Sequence, residues 1–96
     1  MELLRHLRRR QTSVLWPEDV DRRLGILVRA AAAAGERTSR AELLAALVTD
    51  AAVDPEQLAD IVHRYRRLPA DALTGDADRD DLPVVRTTGP RRATPA

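Results

Sequence analysis

The chain has 96 residues, with 16 arginines and no lysine against 15 acidic groups, a net charge of +1, no cysteine and 2% aromatics. That length holds one small domain with a tail, and an aromatic-poor core must be built from Leu and Val on helices. Disulfides are excluded, and the isolated His6 and His63 cannot close a zinc site, so no metal or cofactor is expected. A partner copy is the remaining way to stabilise so thin a core, and a homodimer is the first expectation. No apolar run approaches the roughly 18 residues of a membrane span. The opening Met1–Arg10 is basic and lacks the apolar stretch of a secretion signal. A cytoplasmic protein with no membrane contact follows as the expectation, compatible with the missing cysteines.

In chain order, residues 1–10 read as a flexible basic arm, with Arg5, Arg8, Arg9 and Arg10 against Glu2. Asp71, Asp76, Asp78, Asp80 and Asp81 make the rear acidic, so the front is the end suited to an anion. Gln11–Trp16 is rich in β-formers and stopped by Pro17, which predicts a short strand. From Pro17 the apolar period becomes helical: Val20, Leu24, Leu27, Val28 and Ala31 form one stripe. Pro17 suits the first helical position, Glu18, Asp19 and Asp21 suit the positive end of the dipole, and Gly35 suits the stop. Gly25 lies inside this helix at a cost of about 1 kcal/mol relative to Ala; close helix approach and plain tolerance both account for it.

Ser39-Arg40-Ala41-Glu42 fits the capping box of a second helix, whose buried face is Leu43, Leu44, Leu47 and Val48. Asp54-Pro55-Glu56-Gln57 opens a third helix in the segment 51–69, with Leu58, Ile61, Val62, Tyr65 and Leu68 as its stripe. Residues 70–96 lack periodicity and read as a disordered tail.

A single strand beside three helices leaves its ladder groups without partners. Two copies pairing antiparallel across a two-fold axis satisfy each other. Alternation puts Thr12, Val14 and Trp16 on the face turned to the helices and Gln11, Ser13 and Leu15 on the outer face. A dimer core of Val14, Trp16, Val20, Leu24, Leu43 and Leu47 is expected, and a two-stranded ribbon of this kind fits the DNA major groove.

The run Gln11-Thr12-Ser13-Val14-Leu15-Trp16-Pro17-Glu18-Asp19-Val20, followed by a helix, Gly35 and Ser39-Arg40-Ala41-Glu42-Leu43, resembles the ribbon-helix-helix family of the MetJ/Arc type. The resemblance covers roughly residues 9–50 and implies a mainly α, intertwined homodimer over residues 11–50. It implies base reading by Gln11, Ser13 and Leu15, and a phosphate clamp at Thr38, Ser39 and Arg40. Leu15 departs from the polar reader common in the family, and the third helix and tail lie outside the match.

The chemistry of those residue types agrees. Gln pairs with the N6/N7 edge of adenine, and a thymine methyl suits Leu15. Amides at a helix start suit a phosphate oxygen, and Arg8, Arg9 and Arg10 suit the DNA backbone or a minor groove. Bland roles stand beside these: Ser39 is first a helix cap, Arg40 and Arg37 are ordinary surface charges, with Arg37 able to pair with Glu42, and Arg64, Arg66, Arg67 and His63 are the wet side of the third helix.

Neither Ser13 nor Ser39 has the context of a nucleophile, and there is no glycine-rich phosphate loop. Asp76-Ala77-Asp78-Arg79-Asp80 imitates the opening of a calcium loop but has Asp81 where Gly is required. The expectation is therefore not an enzyme but a sequence-specific transcriptional repressor on double-stranded DNA. The alternatives are an antitoxin or a plasmid partition or copy-control protein, with residues 55–96 binding a partner protein.

Overall fold

A computed structural model of the chain describes residues 1–76 and 79–85. It is mainly helical. A 3-10 turn at Leu4–His6 precedes α1 (Glu18–Ala33), α2 (Arg40–Asp50) and α3 (Pro55–Arg66), and a second 3-10 turn covers Thr74–Asp76.

Each helix boundary has a local cause. Pro17 stands at the cap of α1 rather than at its first helical position, and its carbonyl accepts from the amides of Val20 and Asp21 at 3.1 and 3.2 Å. At the other end the Gly35 amide donates to the Ala32 carbonyl and the Glu36 amide to the Ala31 carbonyl, both at 2.9 Å. This double closure needs a left-handed residue, and Gly35 supplies it at φ +92°. The Ser39 hydroxyl accepts from the Glu42 amide at 3.0 Å, the first half of the expected capping box. Asp54 caps α3 by accepting from the amides of Glu56 and Gln57 at 3.1 and 3.4 Å.

The core is centred on α1. Leu24, Ile26 and Val28 are its buried residues, and α2 and the Thr74–Asp76 turn are the elements that pack on it. Leu24 and Val28 belong to the expected stripe. Ile26 does not, being rotated about 200° from Leu24 at a helical 100° per residue. It is covered because the chain after α3 returns across α1, where Leu73 and Thr74 line a small recess with Ile26. Arg29 fixes that return by donating to the carbonyls of Arg79, Leu82 and Pro83 at 2.6, 2.9 and 2.8 Å. The described part of the segment read as a disordered tail thus lies on α1. An arginine fork closing on three carbonyls requires no hydrophobic period, so the sequence pattern does not announce it. Residues 77, 78 and 86–96 of that segment, including two positions of the imitated calcium loop, lie outside the described residues.

One expectation is corrected in the single chain. Gln11–Trp16 forms no strand, and no strand exists among the described residues. A ladder is a property of two segments, and no described segment of the same chain pairs with this one. Of the residues expected in a dimer core, Leu24 alone is buried; Trp16, Val20 and Leu43 are half-buried, and Val14 and Leu47 are exposed.

Candidate nucleic-acid interface

The start of α2 and the N-terminal arm form one surface. Arg5 of the arm donates to Glu42 Oε2 of α2 at 3.2 Å. Around this pair an open groove of about 930 Å³ is lined by the apolar Leu3, Leu4, Leu7, Ala45 and Ala46, by Arg8, Arg9 and Arg10, and by the acidic Glu42 and Asp50. Arg9 is steadied by the Arg5 carbonyl, to which its guanidinium donates at 3.4 Å. The basic arm therefore lies against α2 beside Ala41 and Glu42, and the second expected phosphate-contact group, Thr38, Ser39 and Arg40, meets that surface through the bonds of Thr38 and Ser39 to Glu42.

The second group is more occupied than the sequence implies. The Thr38 hydroxyl donates to Glu42 Oε1 at 2.7 Å. The Ser39 hydroxyl is taken up by the Glu42 amide, leaving the Arg40 and Ala41 amides of the first turn open to an outside acceptor. Arg40 is not a freely solvated charge: its guanidinium donates to Asp21 Oδ1 at 2.5 Å and to the Asp21 carbonyl at 3.2 Å. Glu42 pairs with Arg5 rather than with Arg37. The Thr38 hydroxyl, then the Arg5 guanidinium, hold its carboxyl below the ordinary value of 4.5.

Asp21 lies in the first turn of α1, where its charge suits the helix dipole, and it has a second role that sequence reasoning does not reach: its Oδ1 accepts from Trp16 Nε1 at 3.3 Å. One carboxylate thereby ties the end of the Gln11–Trp16 segment to α1 and to the first residue of α2. No motif signals this, since Arg40 is 19 residues away in sequence. Gly25 faces the same arginine: a Cβ at that position would stand 3.3 Å from Arg40 Nη1, the movable end of its side chain. The close approach is made by a side chain crossing α1, not by a second helix backbone.

The expected base readers Gln11, Ser13 and Leu15 are all exposed, Leu15 fully so at 103%. They do not line the arm–α2 groove. A leucine so placed in a chain with so small a core is a group awaiting a cover. No cluster of His, Asp and Glu capable of holding a metal exists among the described residues. No helix among them is long and apolar enough to cross a membrane. The chain matches no family model, no curated protein and no solved structure.

Proposed function

We propose that the protein is a homodimeric, cytoplasmic DNA-binding regulator of the ribbon-helix-helix kind, acting as a repressor by occupying a short palindromic or repeated operator. The observation that carries this reading is the Gln11–Trp16 segment. It has no ladder partner among the described residues, yet its Trp16 end is tied through Asp21 to both α1 and α2. Val14 and Leu47, exposed in the single chain, are groups that pairing of two such segments would cover, and burial of large apolar side chains contributes about 1.5–3 kcal/mol each. On this reading Gln11, Ser13 and Leu15 face the base edges of the major groove. The arm arginines and the start of α2 contact phosphates, which position the ribbon without reading sequence. Repression follows from occlusion of a promoter.

The test compares Gln11→Ala with Arg8→Ala on an operator and on random duplex. Gln11→Ala reduces discrimination by about 1–3 kcal/mol with little change on random DNA. Arg8→Ala weakens both duplexes alike and lowers the salt slope. Equal losses on both duplexes from Gln11→Ala would remove the ribbon assignment.

A further inference from the structure

Helix α3 makes no backbone packing contact with another helix among the described residues, although Tyr65 and Leu68 at its end border a recess with Pro17 and Val20 at the start of α1. Its stripe Leu58, Ile61, Val62, Tyr65 and Leu68 stays between 41% and 51% exposed. The stripe is built on the spacing of Leu58, Ile61, Tyr65 and Leu68, which is the three-four-three step of a heptad seam. Leu68 remains in register because its amide donates to the Tyr65 carbonyl at 3.2 Å, prolonging the last turn.

Charge along α3 is divided by ends. Glu56 and Asp60 occupy the first half, and Arg64, Arg66 and the capping Arg67 the second. None of these five has an ion-pair partner among the described residues. The division suits the helix dipole, but the dipole does not account for an apolar seam left uncovered beside it. An antiparallel copy of the same helix accounts for both. About a centre near His63, Leu58 of one copy faces Leu68 of the other and Ile61 faces Tyr65, while each acidic half lies along a basic half. A two-fold contact of this type is self-complementary by construction; a parallel copy sets like charges side by side.

We infer that α3 is a self-association helix that pairs antiparallel with α3 of a second copy of this chain. The contact does not involve Gln11–Trp16 or the arm–α2 groove, so it goes beyond the proposed DNA reading and stands or falls separately from it. A helix of 12 residues buries too little to reach the roughly 1,000 Å² of a self-standing interface. It is a weak contact formed between free copies in solution, where a cross-linker captures the transient pair, and it adds to any other contact that holds two copies together.

The chain has no cysteine, so each introduced thiol is the only one present. Full-length Leu58→Cys, Leu68→Cys and Val62→Cys variants are treated, without DNA, with a short bis-maleimide, after circular dichroism has shown wild-type helicity. The antiparallel pair predicts a cross-linked product from the Leu58→Cys and Leu68→Cys mixture and from Val62→Cys alone, at least several-fold above Leu58→Cys alone. A strong product from Leu58→Cys alone would mean a parallel pair and overturn the arrangement. No product from any combination would overturn self-association and leave the face to a different protein. As a second measurement, an all-basic α3 (Glu56→Arg, Asp60→Arg) mixed with an all-acidic one (Arg64→Glu, Arg66→Glu, Arg67→Glu), each carrying Val62→Cys, forms the mixed product in preference to either homotypic one. Loss of that preference would show that charge does not direct the pairing and would contradict the proposal.

Discussion

Asp21 and Arg40 are joined across the two helices at 2.5 Å, and the same Asp21 oxygen also holds the Trp16 indole N–H at 3.3 Å. With the Arg40 side chain 39% and the Asp21 side chain 57% exposed, the pair contributes within about 1 kcal/mol to stability. Its larger consequence is for the availability of Arg40 as a phosphate ligand. A guanidinium engaged by a carboxylate must exchange partners before it neutralises a phosphate.

Asp21→Asn removes the negative charge that competes for Arg40, leaving neutral side-chain and main-chain oxygens as weaker acceptors and one for Trp16. The account predicts tighter binding to any duplex and a salt slope steeper by about 0.9 for each phosphate that the released Arg40 newly neutralises. Fluorescence anisotropy across a salt series reads both quantities. An unchanged slope would mean that Arg40 remains away from the nucleic acid even when freed.

The two glycines flanking this region respond oppositely to alanine. Gly25→Ala gains helix propensity of about 1 kcal/mol, and its Cβ presses only on the movable tip of Arg40 at 3.3 Å, so the melting temperature rises. Gly35→Ala forces a left-handed alanine at φ +92° and costs about 1–2 kcal/mol. Thermal unfolding of the two variants checks the signs; a shared sign would contradict the roles assigned to them.

What was legible in the sequence, and what was not, separates along the same line as local and distant causes. The capping serine, the Asp-Pro start and the helix-ending Gly35 act through atoms a few residues away, so their patterns place all three helices. Ile26 was missed because its cover, Leu73, arrives from a returning segment that has no period of its own. Arg5–Glu42 and Asp21–Arg40 were missed because ion pairs across 37 and 19 residues leave no spacing signature. The Gln11–Trp16 segment differs in kind. Its residues are β-formers, but hydrogen-bonded pairing belongs to two segments at once, and no second segment pairs with it among the described residues.

The acidic limb of the pH dependence has a defined sign. Glu42 is held below 4.5 when folded, so its contribution is complete above that value and is lost as pH falls through the lowered folded value. Asp81, bound by both Nε and Nη2 of Arg79 at 2.8 Å, is lowered from 3.8 to about 2 and behaves the same way in a more acidic window. Thr38→Val raises the Glu42 value toward 4.5 by removing the hydroxyl hydrogen bond, and Arg5→Gln raises it by removing the guanidinium hydrogen bond and charge. Carboxyl chemical shifts followed by NMR report each value. A Glu42 titration unmoved by Thr38→Val would remove the Thr38 contact from the account.

Arg29 is the fastening of the C-terminal segment. Arg29→Lys keeps the charge but not the planar fork that reaches three carbonyls, so it releases residues 79–85 nearly as completely as Arg29→Ala. Hydrogen exchange and limited proteolysis should both show faster attack there, with α2 protection retained. Full protection in the lysine variant would show that charge alone holds the segment.

The central claim, that this chain reads DNA as a paired ribbon, is tested most directly by competition binding of the full-length protein to DNA from its own upstream region against random duplex, over a range of salt. The account predicts a preference of about a thousandfold or more, with a steep loss of affinity as salt rises. Binding without preference, or no binding near physiological salt, would contradict it.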